Sequence, residues 1–367
     1  MRIYLCFLFI VICSRGFSQS QDDWYLFEDT ATQQSYYRDA RNVVKTRPLQ
    51  LMAGGPRVFT AIVPVVESIA DTGYKAFYLL RDGREVARDS LYFWDNMPDC
   101  ERESKIRFRD PLKDKVGMLD DNGTVIIPAV YNDMTSFDNG LAWAIKGAER
   151  ECWEGGKYDA AHPCEHWTWK GGTQVLLNDK NEVLAEFPSD MEFWKLDPYS
   201  LKAGEPPVDT SLWLSFEGKG GKLYLLRRRE KDFERWLQGT FMPAAIDGRL
   251  KEYLATDVLW ENGEDRLPMA PDTFMTKLGP VLAKKLSVLR RDRAGYDIIP
   301  DDLNPYIYDR PAYKKYFDNC GSFLRMKYPA YTVLVSHYTA EGKLLYQEHF
   351  GFLRTAQGYR LVYVSMV

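Results

Sequence analysis

The sequence predicts an α+β protein in which an array of β-hairpins precedes an α+β domain with a terminal antiparallel meander. Three observations carry this. Short apolar runs flank Asp-Gly, Asn-Gly or Asn turns within residues 73–188. Apolar residues recur at helical spacing from Phe233 to Ile246 and from Phe274 to Leu286. Strand-like runs return after Tyr331, punctuated by Gly342 and Gly358.

Residues 1–18 read as a secretory signal peptide. Arg2 is followed by the apolar run from Tyr4 to Cys13, and Gly16 and Ser18 supply the small residues a signal peptidase needs before the cut. The run is about half the length needed to span hydrocarbon. Lipoprotein processing at Cys13 is the alternative, and bulky Ile12 argues against it. No second apolar run follows, so the chain left after cleavage is expected without a transmembrane span, in the periplasm or outside the cell. Losing Arg2 and Arg15 takes the net charge from −4 to −6. An acidic balance argues against nucleic acid as partner, because phosphate binding needs a basic footprint.

Residues 19–72 read as a β-rich segment. Trp24-Tyr25-Leu26-Phe27 and Val58-Phe59-Thr60-Ala61-Ile62-Val63 have strand composition, with a break at 53–56. Residues 33–45 give no assignment.

In residues 73–188 one unit recurs. Lys75 to Leu80 leads through Asp82-Gly83 to Glu85-Val86. Lys115 to Leu119 leads through Asn122-Gly123 to Thr124 and Pro128. Thr173 to Leu177 leads through Asn181 to Glu182 and Ala185. Gly and Asn accept the positive φ of tight hairpins. One hairpin buries little, so the units must stack on neighbours. The middle unit, KVGMLDDNGTVIIPAVYNDMTSFDNGLAWAIKG, resembles the WG-repeat family. Gly117, Asp120, Gly123, Pro128, Phe137 and Gly140 define the repeat, with Ile127, Tyr131, Leu141 and Ala142 also matching. Val116 stands in place of the name-giving tryptophan. The flanks Phe93 to Asp99 and Glu165 to Gly172 are similar to those of longer family members, and Thr173-Gln174-Val175 replaces Lys-Trp-Gly in the next unit. The resemblance covers roughly a third of the chain. It implies a hairpin repeat array and no catalytic activity.

Residues 189–210, with Asp197-Pro198 and Gly204-Glu205-Pro206-Pro207, read as a linker to the domain 211–367. That domain opens with a strand pair, Leu212 to Phe216 and Lys222 to Leu226. A first helix places Phe233, Trp236, Leu237, Phe241 and Ile246 on one face, with Pro243 a potential break. A second, capped by Asp272, carries Phe274, Leu278, Val281, Leu282 and Leu286. The last hairpin, from Phe350 to Leu361, resembles nuclear transport factor 2-like, cystatin-like cone domains. Such cones house small ligands or hydrolytic chemistry.

Four cysteines follow the signal: Cys100, Cys152, Cys164 and Cys320. In an oxidising compartment they favour disulfides. Cys152 and Cys164 form the candidate pair, flanking a Gly-rich turn; Cys100 with Cys320 is possible only by elimination. Cys152, His162, Cys164 and His166 also have zinc-like spacing, but oxidation competes with it. A Cys–His catalytic pair can be drawn from Cys164 or Cys320 with His337 or His349, yet nothing places them together. No nucleophile elbow, phosphate loop or His-Glu-x-x-His helix is present. Asp120-Asp121 belongs to a hairpin turn and Asp301-Asp302 to a loop after Pro300. Arg227-Arg228-Arg229, Lys284-Lys285 and Arg290-Arg291 alternate with acids and read as solvated faces. Trp153, Trp167 and Trp169 either pack on the hairpins or face a partner or sugar; packing is the preferred reading.

No catalytic, cofactor or metal residue is therefore assigned, and no cofactor is expected. The expected function is an exported, non-enzymatic binding or scaffolding protein that presents a β surface to a protein or cell-envelope partner. The alternative is an enzyme or small-ligand binder with its site in the C-terminal cone.

Overall fold

In a computed structural model, residues 23–51, 55–69, 73–159, 161–263, 265–291 and 295–366 are described. The expected signal peptide and Cys13 lie outside these residues. The described chain is strand-rich, with many small antiparallel sheets and few helices.

Side chains alternate between the two faces of a strand, and five small sheets use this to stack. The first is Gln34–Arg38, Trp24–Asp29 and Val58–Phe59; the second is Ile62–Ile69, Gly73–Leu80 and Glu85–Val86. The third is Val125–Tyr131, Lys115–Asp120 and Lys105–Asp110. The fourth is Asp133–Met134, Leu141–Lys146, Thr173–Asn178 and Val183–Pro188. The fifth is Leu196–Ala203, Leu223–Arg228 and Trp213–Glu217. Phe77 and Leu79 pack with Tyr37 and Phe59 of the first sheet, while Ala76, Tyr78 and Leu80 pack with Ile106 and Leu119 of the third. Val116 and Met118 meet Ala142, Ala144, Val175 and Leu177 of the fourth. Trp143 and Leu176 turn the other way, onto Leu196 and Leu226 of the fifth. Central strands buried on both faces must be apolar on both. That is why these segments read as unbroken apolar runs.

The hairpin turns share one geometry. The N–H of Gly83, Gly123 and Asn181 donates to the carbonyl three residues back, at Leu80, Asp120 and Asn178. All three donors have positive φ. The Asp120 carboxylate accepts the N–H of Asn122 and Thr124 at 3.0 and 2.8 Å, and Asn178 Oδ1 does the same for Lys180 and Glu182. This is a turn closed by a residue in the left-handed region. Gly117 answers a different need. A Cβ there would meet the Phe108 ring and the Ile127 carbonyl, each at 2.6 Å. Pro128 lies exposed on an edge strand, at a bulge between the Met118–Ile127 and Val116–Tyr131 pairs. There the missing N–H is harmless.

Several expectations need correction. The boundary at residue 72 cuts a hairpin, since Ile62–Ile69 pairs antiparallel with Gly73–Leu80. Residues 34–38, left unassigned, form a strand against Trp24–Asp29. The run 58–63 divides because the Glu101 carboxylate takes the N–H groups of Ala61 and Ile62, both at 2.9 Å. The linker 189–210 contains the strand Leu196–Ala203; Pro198 is accommodated because the register slips between Asp197 and Lys202.

After the fifth sheet the chain forms one six-stranded sheet, ordered Asp265–Met269, Leu254–Asn262, Gly358–Ser365, Leu344–Thr355, Ala330–Tyr338, Asp297–Asp301. Only Leu254–Asn262 and Gly358–Ser365 run parallel. Asp301 therefore ends a strand rather than sitting in a loop. One face packs on Phe233, Phe241, Phe274, Leu282 and Leu286 of the helices. The other is covered by side chains from residues 303–323. The first helix, Arg229–Trp236, runs through a π turn at Leu237–Phe241 into Met242–Ile246, where Pro243 opens a helix instead of breaking one. The extra residue of a π turn rotates the apolar face, and Ile246 is left exposed. The second helical stretch is two helices, Pro271–Lys277 and Gly279–Arg291. Ala270 is the N-cap rather than Asp272, and the change of phase after Leu278 leaves Val281 exposed.

The six-stranded sheet and the stack are tied covalently. Cys100 and Cys320 are disulfide-bonded, with Cα atoms 6.1 Å apart. Beside the bond, Asn319 donates to Thr60 Oγ1 at 2.9 Å, and Arg354 pairs with buried Asp197 at 2.5 Å. Gly123→Val should lower stability by about 1–3 kcal/mol. A β-branched residue resists positive φ, and its Cβ lies 3.0 Å from Leu80 and Val86 carbons. Asn181→Gly should change stability by less than about 0.5 kcal/mol. Urea denaturation of both variants checks the shared turn.

Candidate functional site

Two of the most exposed aromatic groups, Trp153 and Trp94, sit on hairpins held by one polar network. Glu149–Cys152 pairs with Trp167–Lys170 to form a projecting hairpin. Inside it the Arg150 guanidinium lies over Trp167, Trp169 and Tyr158 at 4.4, 5.0 and 5.0 Å. Asp114 pairs with Arg150 at 2.9 Å and with Arg109 at 2.8 Å. Trp169 Nε1 donates to Asp133 Oδ2 at 3.1 Å, and the Tyr92 hydroxyl donates to Asp133 Oδ1 at 2.8 Å. A half-buried guanidinium held by carboxylate and rings is worth about 0.5–2 kcal/mol per ring contact. Trp167 and Trp169 are thus committed to structure.

Trp153 is not. It is 71% exposed, with its ring 5.0 Å from that of His166. Cys152 and Cys164 are disulfide-bonded, Cα atoms 6.0 Å apart, and close the loop that carries it. Its N–H donates to the His166 carbonyl at 3.1 Å. Trp94, 67% exposed, lies on the small hairpin Phe93–Trp94 and Met97–Pro98, just after Tyr92. Leu112, 97% exposed, tips the turn whose Asp114 grips Arg150. Three exposed apolar side chains therefore issue from loops joined through Asp114 and Asp133. Exposed apolar groups with polar rims mark contact sites.

A second cluster lies where the stack meets the six-stranded sheet. The Glu103 carboxylate accepts the N–H groups of Asn139 and Gly140 at 2.6 and 2.8 Å, which fixes the turn at Gly140. Arg102 reaches Asp138 and Asp318, each at 3.4 Å. Burial pushes the Asp138 carboxyl up to about 6, against the pull of Arg102. Phe137, next to it, is fully buried in the third and fourth sheets.

The chemical alternatives lose their groups. Both Cys164 and Cys320 are in disulfides, which removes the thiolate a Cys–His pair needs. The zinc-like set loses Cys152 and Cys164 the same way, while His162 pairs with Asp159 at 3.2 Å. Among the described residues, the grouping of possible metal ligands is Cys100, Asp318 and Cys320, and its two sulfurs are bonded to each other. His337 contacts buried Glu348 at 3.0 Å. Of the basic clusters, Arg229 is buried and donates to the Arg325 carbonyl, Arg227 pairs with Asp232, and Lys285 pairs with Glu348. The helix-facing side of the C-terminal sheet is filled with aromatic rings such as Phe233, Phe241 and Phe352.

Sequence reasoning singled out the tryptophans but not Arg150, Asp114, Asp133 or Tyr92. Their partners are distant in sequence. The alternation Trp167-Thr168-Trp169 opposite Arg150 is the one local signal, since a strand places both rings on one face.

Residues 117–148 match the WG containing repeat family. The WG containing repeat model thus spans the unit from Gly117 through the bulge at Pro128, Phe137 and Gly140 to the strand Leu141–Lys146. No curated protein and no solved structure matches the chain. Among the described residues, no helix is long and apolar enough to cross a membrane.

Two outcomes are expected. Thiol titration of the oxidised native chain should find none of Cys100, Cys152, Cys164 and Cys320 reactive, and reduction should cost about 2–4 kcal/mol per bond. For Asp138, the folded pKa lies above the unfolded value, so the native state binds the proton more readily. Stability should fall as pH rises from about 4 to about 6 and level off above. Asp138→Asn should flatten that part of the curve of melting temperature against pH.

Proposed function

We propose that this is an exported binding or scaffolding protein whose stacked hairpins hold a contact surface centred on Trp153. One observation carries the reading: Trp153 stays exposed although its loop is closed by a disulfide and braced by Arg150. A rigid exposed indole loses little entropy when a partner covers it, and Trp is the side chain most enriched at binding hot spots. The pair of disulfides fits an oxidising compartment, the periplasm or the cell exterior. The C-terminal unit sets helices on one face of a sheet that ends in consecutive antiparallel strands, the element order on which the likeness to cone-type domains rests, and its filled helix-facing interior speaks against a catalytic pocket there.

Trp153→Ala should leave the melting temperature within about 1 °C, because the ring buries little. It should weaken recovery of an envelope-extract partner on the immobilised chain at least tenfold. Undiminished recovery with Trp153→Ala would refute the surface. Turnover of a compound abolished by one side-chain change would refute the non-enzymatic reading.

A further inference from the structure

The C-terminal sheet carries a half-open cavity of about 140 Å³ on the face away from the helices. Its floor is aliphatic, built from Leu259 and Val362 of the sheet and Leu303 of the covering segment. A cavity of about 150 Å³ holds one benzene-sized ring. Polar groups gather on its wall. Glu261 pairs with Arg266, and Asp302 pairs with Arg325. Asp301 accepts only the Thr332 hydroxyl at 2.6 Å and the Asp302 N–H at 2.8 Å, so among the described residues its charge has no cationic partner.

Tyr308 supplies the second observation. It lines the cavity with its ring buried, while its hydroxyl makes no hydrogen bond to another described residue and is not among the fully enclosed polar atoms. Such a hydroxyl is free to bond a ligand or water. Burial pushes the hydroxyl's pKa up; the Arg310 charge pulls against this, and the nearby Asp301 and Tyr363 add to it. It stays neutral and is able to accept as well as donate a hydrogen bond.

We propose that this cavity binds a small organic ammonium ion with an apolar body, its nitrogen held between Asp301 and the Tyr308 hydroxyl and its body on the aliphatic floor. The wall favours a cation because one carboxylate is left over after its two ion pairs. An anion would be repelled by Asp301, and a neutral body would gain nothing from its charge. The site is separate from the Trp153 surface and stands or falls independently of it.

The test is calorimetric titration of the full chain with benzylammonium, benzyl alcohol and benzoate as probes. Benzylammonium should bind at least tenfold more tightly than benzyl alcohol, and benzoate should not bind. Tyr308→Phe removes no protein hydrogen bond, so it should fold normally and weaken benzylammonium about 3- to 10-fold. Asp301→Asn keeps an acceptor for Thr332 and should bring benzylammonium and benzyl alcohol to within about twofold of each other. Thermal melts establish that each variant is folded. Equal affinity for the ammonium ion and the alcohol in the unmodified chain, binding of benzoate, or an unchanged affinity in both folded variants would overturn the proposal.

Discussion

The constraint behind this architecture is that the central strands of the second, third and fourth sheets are packed on both faces. Each sheet has only three or four short strands and shares its apolar side chains with a neighbour on either side. Val116 and Met118 face one neighbour while Leu119 faces the other, and Val175 and Leu177 are likewise opposed to Leu176. Sliding one strand by a single residue would exchange these sets and spoil two cores at once. The turns at Gly83, Gly123 and Asn181 set the register and so matter beyond their own bonds. The ring of Phe108 over Gly117 shows the same economy: a glycine in a central strand is tolerated because an aromatic partner fills the space its side chain would take.

How much of this could be read in the sequence follows from the range of each interaction. The hairpin turns were legible because Asp120, Gly123 and Asn178 act within four residues. The Cys152–Cys164 pair was legible because only 12 residues separate its members. The partner of Cys100 came only from elimination, as 220 residues separate it from Cys320. Misreadings arose where a local signal had a distant explanation. Pro198 and Gly204 look like a linker, but a bulged strand absorbs the proline. Phe233 to Ile246 look like one amphipathic face, but the π turn rotates its end away. The Asp301-Asp302 pair looks like a turn; the sheet edge it occupies exists only once the strand beginning at Ala330 comes alongside.

The aromatic surface illustrates why sequence cannot rank similar residues. Trp153, Trp167 and Trp169 are near neighbours with similar flanks. Two are held by Arg150 of the same hairpin and by Asp133 of the fourth sheet, and the third faces water. What distinguishes them is the location of a carboxylate 36 residues away from Trp169. The strand cores are apolar and buried, whereas Trp94, Met97 and Trp153 stand exposed.

The segment covering the outer face of the C-terminal sheet connects two features that would otherwise be unrelated. Leu303 and Tyr308 from it form one side of the cavity, and Cys320 from it forms the tie to Cys100. Its residues pack on the sheet through Tyr313, Tyr316 and Phe323, and Arg310 pairs with Asp257 beneath them. The turn at Asp318 is braced by its own carboxylate, which accepts the N–H groups of Cys320 and Ser322 at 3.0 and 2.9 Å. Asn319 reaches Thr60, whose hydroxyl in turn donates to Glu101 beside Cys100. The same hydrogen-bond chain thus runs from the break in an early strand, across the disulfide, to the segment that walls the cavity. A cover held only by its own tyrosines would be free to lift from the sheet. The chain leaves the sheet at residue 301 and re-enters it at Ala330, and Cys320 adds a third attachment between them.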